Sequence, residues 1–222
     1  LARAKQRLAL SGYREAEAEF RALLGTPEGP EARLGLGRVL VTTGRYEEAK
    51  STLKPLVADR KWAADAALWF ARAQENEGDV AGAEATLRAL PADRVSNAVH
   101  LELGTVLLRE GRRADAEPVL MTLVTAYNDD RIKQTDGAGL ALVGRAAQLL
   151  RSPRDANDAY NAAERALPGD AQTLLFRADL FLEKYDPGHA EEVLNEILAQ
   201  APAEPQALVF LARVKLAQAL DF

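Results

Sequence analysis

The chain has 222 residues, 48% of them hydrophobic and 27% charged, and its 33 acidic against 28 basic side chains give a net charge of −5. This is the make-up of an ordinary folded chain, and the negative balance argues against nucleic acid as a partner. The absence of cysteine excludes disulfides, thiol catalysis and thiolate metal sites while leaving the compartment open, and no apolar run approaches the roughly 18 residues of a membrane span.

In chain order the sequence predicts helix after helix. Residues 1–29 read as a short helix, a turn at Ser11-Gly12-Tyr13 and a second helix from about Glu15 to Leu24, stopped by the Gly/Pro run Gly25–Pro30. Residues 30–63 give the clearest unit. An apolar helix carries the small Gly37, Gly44 makes a tight turn, and a second helix presents Ala49, Leu53 and Leu56 on one face, with Pro55 expected to kink its last turn. Residues 64–96 turn at Glu77–Val80 and close on Pro91. Residues 97–136 turn at Glu110–Arg113, with Pro118 early in a helix expected to start near Ala114. Residues 137–170 turn at Arg151-Ser152-Pro153, where Ser152 is predicted to cap the next helix with Pro153 in its first position, and residues 171–204 repeat the device as Asp186-Pro187. Residues 205–222 read as one further helix, with Ala212 at the crossing position. Its Leu208, Leu211 and Leu216 expect a covering helix, and Leu220 and Phe222 make a poor polar cap, so the natural chain is expected to continue past Phe222.

These elements share one register. Ala16, Ala49, Ala83, Ala116, Ala156 and Ala190 recur at intervals of 33, 34, 33, 40 and 34 residues. Four residues after each stands Phe20, Leu53, Leu87, Leu120, Tyr160 or Leu194, and twelve before each stands Ala4, Gly37, Ala71, Gly104, Gly144 or Ala178. The 40-residue interval places an insertion of about six residues within Tyr127–Asp136, expected to form a loop. A small residue on both helices, followed by a large one, is the requirement for two helix backbones to cross closely. The pattern resembles the tetratricopeptide repeat, a 34-residue helix–turn–helix unit. The resemblance covers about residues 1–220. It implies an all-α, right-handed superhelical solenoid of about six helix pairs plus one terminal helix, a single domain whose first helices line a concave groove for peptides or proteins.

A second resemblance rests on Ser152–Tyr160 and Phe181–Ala190, which are similar to segments from repeat arms of large bacterial zinc metallopeptidases. It carries no catalytic residue over, because no His-Glu-x-x-His is present. His100 and His189 lack a second ligand at metal spacing, and Asp129, Asp130 and Asp136 do not match a calcium loop. The serines have no histidine partner pattern, and Gly35 and Gly37 sit inside a helix rather than after a strand. The expectation is a non-catalytic chain without metal or cofactor that binds a protein or peptide partner. The alternatives are an arm that positions or regulates a metallopeptidase domain, and a self-assembling segment that associates through its terminal helix.

The residue following each crossing position is expected to face the groove. There the chain reads Lys5, Arg38, Arg72, Thr105, Arg145, Asp179 and Arg213. Lys5, Arg38, Arg72, Arg145 and Arg213 are the candidate ligand-binding residues. Arg145, Asp179 and Arg213 alternate in sign at 34-residue spacing and are expected to pair with one another. Arg72 is expected to be neutralised by Glu75, one turn on, which leaves Lys5 and Arg38 to meet an anion such as a carboxylate.

Overall fold

A computed structural model describes residues 1–220. Thirteen α-helices follow one another, and no strand occurs among the described residues. They are α1 (Ala2–Ala9), α2 (Tyr13–Leu23), α3 (Gly29–Thr42), α4 (Tyr46–Val57), α5 (Ala63–Asn76), α6 (Val80–Arg88), α7 (Asn97–Arg109), α8 (Arg113–Asn128), α9 (Gly137–Leu149), α10 (Pro153–Ala166), α11 (Ala171–Glu183), α12 (Pro187–Gln200) and α13 (Pro205–Leu220). None is long and apolar enough to cross a membrane. The chain divides into two compact units, one running from Leu1 to Ala116 and the other from Glu117 on.

In the first unit each helix packs on its sequence neighbour from α1 to α7, and in the second the same holds from α9 to α13. First helices also pack on the next first helix: α3 on α5, α5 on α7, α9 on α11 and α11 on α13. Second helices are more widely spread, which puts the first helices on the inner wall of each unit. The register alanines Ala16, Ala49, Ala83, Ala116, Ala156 and Ala190 are all fully buried, as are the large residues four places on, from Phe20 to Leu194. The fit at the crossings is tight. A Cβ at Gly37 would lie 2.4 Å from Leu53 Cδ2, and one at Gly144 would lie 2.5 Å from the Tyr160 ring.

The turn between the two helices of a pair is also one device repeated. Ser11, Gly44, Gly78, Gly111, Arg151 and Tyr185, each five residues before a register alanine, all take positive φ. The next residue's N–H reaches back to a carbonyl five residues earlier, as in Gly12 to Arg7, Arg45 to Leu40 and Asp186 to Phe181, at 2.8–2.9 Å. A helix end closed by a left-handed residue with this bond satisfies carbonyls that would otherwise be orphaned. Glycine takes that conformation freely, whereas Ser11, Arg151 and Tyr185 hold it against a penalty. Tyr185 does so while 94% exposed.

Local expectations were corrected in three places. Ser152 precedes α10, but its hydroxyl is turned to donate to Asp155 Oδ2 at 2.5 Å and its oxygen accepts from no backbone N–H of the helix. The helix α8 starts at Arg113, so Pro118 falls in its second turn rather than in the tolerant first one. A short 3-10 turn, Ala92–Arg94, follows Pro91 where the sequence suggested only a stop. Asp186 caps α12 as expected, accepting from His189 N, and Asp136 caps α9 by accepting from Gly139 N. Leu216 and Leu220 are exposed as expected, and the expectation for Phe222 lies outside the described residues.

Two substitutions test this account with opposite signs. Gly144→Ala is expected to lower stability by up to about 2 kcal/mol, an overpacking cost of roughly 1–3 kcal/mol less about 1 kcal/mol of helix propensity gained. Tyr185→Gly is expected to raise stability by about 0.5–1 kcal/mol, the left-handed penalty of about 1–2 kcal/mol less glycine's entropic cost of about 0.5–1. Urea midpoints would measure both. A stabilised Gly144→Ala would mean that the crossing is looser than its geometry, and a destabilised Tyr185→Gly that the tyrosine makes an essential contact.

Candidate functional site

In the first unit the wall of first helices carries Lys5 on α1, Arg38 on α3 and Arg72 on α5 at one register. Lys5 forms an ion pair with Glu31 of α3. Arg72 donates from Nε and Nη2 to Glu102 Oε2 of α7, at 3.0 and 2.7 Å. Glu75 therefore does not neutralise Arg72, contrary to the expectation from helical spacing. It pairs instead with Arg109 of α7, since the neighbouring helix offers Arg72 a carboxylate that is almost buried.

Arg38 differs from its neighbours. Its guanidinium lies 5.1 Å from the centroid of the Trp69 ring, and Arg72 lies 4.7 Å from the same ring. No carboxylate stands within ion-pair distance of it among the described residues; Asp65 attracts it from further off. Burial depresses its affinity for a proton, and the charge of Arg72 depresses it further. Yet its side chain remains accessible to water. The Arg38 cation is thus crowded by protein atoms, faces a second cation across Trp69 and is open to water on one side.

The second unit resolves its charges internally. Arg145 Nη1 of α9 lies 2.6 Å from Asp179 Oδ2 of α11, and Arg213 Nη1 of α13 lies 3.2 Å from Asp179 Oδ1. Gln148 Nε2 donates to the same carboxylate at 3.3 Å and accepts on Oε1 from Tyr160 Oη at 2.7 Å. Burial pushes the Tyr160 hydroxyl far above its ordinary value, so it acts as a neutral donor. Arg145 lies over Phe176 and Arg213 over Phe210, each at 5.3 Å. The expected three-way pairing is present. It is fixed by an amide and a phenol that the sequence did not single out.

The far edge of the first unit holds a second set of ion pairs missed by sequence reasoning. Arg45 donates to both carboxylate oxygens of Glu17 at 2.8 Å, Arg21 binds Glu17 and Glu48, and Arg45 also binds Glu48. Burial opposes ionisation of Glu17, but the hydrogen bonds from Arg21 and Arg45 outweigh it and hold its carboxyl below the usual range. Arg112 bridges Glu84, Glu110 and Asp115 in the same way. These long side chains span second helices whose backbones stand apart. Of the two histidines, His189 Nδ1 lies 2.7 Å from Asp186 Oδ2 with its ring on Phe181, and burial lowers the proton affinity of His100. No cluster of three or more metal-type side chains forms among the described residues.

Helix pairs in fixed register, joined by identical turns and presenting a polar inner wall, define a helical-repeat scaffold. The chain belongs to the tetratricopeptide repeat family: two models of that description match residues 7–61, and residues 37–97 together with 144–205. Such repeats are general protein–protein interaction scaffolds and are generally non-catalytic. The chain is similar to the cellulose synthase operon protein C of Xanthomonas axonopodis pv. citri (strain 306), with 29% identity over 246 aligned residues. That alignment spans 90% of this chain and 16% of the relative. Among solved structures it shares its fold with a thermophilic tetratricopeptide repeat protein of Thermus thermophilus, at 22% identity and a TM-score of 0.63, covering 86% of this chain and 100% of that one. A tetratricopeptide repeat protein of Parabacteroides merdae ATCC 43184 matches at 14% identity and a TM-score of 0.55, covering 98% and 85%.

The charge hub of the second unit is directly testable. Asp179→Ala is expected to cost about 1.5–3 kcal/mol, the range for hydrogen bonds to a charged group. Arg213→Gln, at a half-exposed cation, is expected to cost less than about 1 kcal/mol. Equal losses in chemical denaturation would show that Asp179 is not the centre of the network.

Proposed function

We propose that this chain is a non-catalytic scaffold whose first-helix wall binds an acidic segment of a protein partner, with Arg38 as the residue that meets the ligand's carboxylate. One observation carries this reading: Arg38 is crowded, accessible and unmatched by any carboxylate at ion-pair distance among the described residues. A guanidinium grips a carboxylate through two parallel donors. Arg72 across Trp69 and Lys5 on α1 belong to the same proposed series, with their charge largely matched by Glu102 and Glu31. So do Arg145 and Arg213, with their charge largely committed to Asp179. The likeness to a protein of a cellulose synthase operon directs the search for the partner to the other proteins of such an operon.

A fluorescein-labelled (Glu-Ala)5 peptide, followed by anisotropy, tests the reading. Arg38→Glu is expected to weaken binding at least tenfold with unchanged far-UV circular dichroism, and a (Gln-Ala)5 peptide is expected to bind the native chain as poorly. Binding that survives Arg38→Glu would overturn the role of Arg38. A variant that melts would assign it to packing on Trp69.

Self-association through α13 is a second reading. Leu208 is 46% exposed and Leu216 60% exposed, whereas Leu174, the register equivalent of Leu208 on α11, is 2% exposed beneath α12. The apolar stripe therefore suits another helix, here that of a second copy. Sedimentation velocity is expected to show a concentration-dependent mass that Leu216→Glu abolishes; a mass constant over concentration would remove this reading.

A further inference from the structure

The insertion between α8 and α9 builds a segment that has no counterpart between the other helix pairs among the described residues. Part of it lengthens α8, and the rest forms residues 129–136. That segment is anchored rather than loose. Ile132 is buried against Ala126, Leu140 and Ala163, and two consecutive amides, Arg131 N and Ile132 N, donate to Ala126 O at 2.8 and 3.1 Å. Gly137 makes the return possible: a Cβ there would lie 2.5 Å from Leu167 Cβ, so only glycine lets the start of α9 close against the end of α10.

Between this segment and α10 lies an open cleft of about 410 Å³, lined by Gln134, Thr135, Ala162, Arg165 and Ala166. Its volume falls at the small end of ordinary ligand sites, roughly 300–1,000 Å³. The charges of the insertion are consumed locally. Arg131 binds Asp129, Lys133 binds Asp130, and Asp136 caps α9 through Gly139 N. Arg165 alone among the lining residues is charged, it is exposed, and it has no ion pair among the described residues. Gln134 donates through Nε2 to Tyr127 Oη at 2.9 Å, which fixes the amide and leaves its Oε1 as an acceptor.

We propose that this cleft is a second, independent binding site, for an acidic residue of an extended peptide. The Arg165 guanidinium takes the carboxylate, the Thr135 hydroxyl donates to it, Gln134 Oε1 accepts a peptide N–H, and the Ala162–Ala166 floor accommodates a small aliphatic neighbour. One guanidinium, one hydroxyl and one oriented amide acceptor match a carboxylate with an adjacent peptide bond. A bare inorganic anion would leave the acceptor and the apolar floor unused. The site lies wholly in the second unit and does not depend on the role proposed for Arg38.

The test is a titration of the full ¹⁵N-labelled chain with acetyl-Ala-Glu-Ala-amide, read as amide shifts. Saturable shifts are expected at Gln134, Thr135 and Arg165, weakened at least tenfold both by Arg165→Gln and by using acetyl-Ala-Gln-Ala-amide, and unchanged in Arg38→Glu. Thr135→Val gives a second variant outside the helices, with a severalfold loss expected. Shifts absent at millimolar peptide, shifts equally strong in Arg165→Gln, or equal binding of the glutamine peptide would each overturn the proposal. Inorganic phosphate that saturates the same amides more tightly than the peptide would overturn the ligand class. Loss of the shifts in Arg38→Glu with the fold intact would overturn the independence of the cleft.

Discussion

Everything in this chain depends on how closely two helix backbones can cross. At each crossing within a unit a glycine or alanine on the first helix meets an alanine on the second, and the large residue one turn on fills the space that remains. At Gly144 a rigid Tyr160 ring occupies the volume a Cβ would need, and its hydroxyl is held by Gln148. The ring cannot swing away without giving up a buried hydrogen bond. Packing and polar order are thus coupled at one point. Interiors at crystal-like density transmit such constraints instead of absorbing them.

That crossing fixes the angle of each pair, and the turn fixes its phase. A left-handed residue five places before the register alanine reverses the chain in the fewest residues and satisfies the carbonyls at the helix end. Three of six turns use glycine, and the others force Ser11, Arg151 and Tyr185 into the same conformation. Geometry therefore outranks residue preference here: tertiary packing on both sides over-determines the turn, and the local penalty is carried by the crossings. The six-residue insertion leaves the device untouched, because it falls between pairs, where the crossing makes no demand.

The helices, their pairing and the crossing residues were legible in the sequence, since small and large side chains at fixed spacing are a direct record of distance between backbones. The left-handed turns were only half legible. Gly44, Gly78 and Gly111 advertise the conformation, while a serine, an arginine and a tyrosine do not. Ser152 shows why caps are harder still: the residue type was right for a cap, but its side chain is turned to Asp155 three places on instead of to the backbone amides. The inter-repeat ion pairs Arg45–Glu17 and Arg112–Glu84 could have been found by comparing a second-helix position with the turn of the next pair.

The positions of Lys5, Arg38 and Arg72 on successive first helices were legible in the sequence but their partners were not, and the reason is directional. Side chains on a helix lean toward its N-terminus, and successive first helices run the same way. A long cation at the groove register can therefore meet its neighbour about one turn nearer the N-terminus as well as at the equal register used by Arg145, Asp179 and Arg213. Arg38 reaches Trp69 and Arg145 reaches Phe176, each 31 residues on, and Arg72 reaches Glu102, 30 residues on. Lys5 reaches further back still, to Glu31. Comparing equal positions thus found Arg145–Asp179–Arg213 and missed the others. The chemistry of each wall then turns on what occupies that offset position. Where it is glutamate, the cation is neutralised. Where it is tryptophan, the ring supports the guanidinium from one side and cannot cancel its charge, which is how Arg38 keeps its charge uncancelled at ion-pair range while its equivalents on α1 and α5 do not.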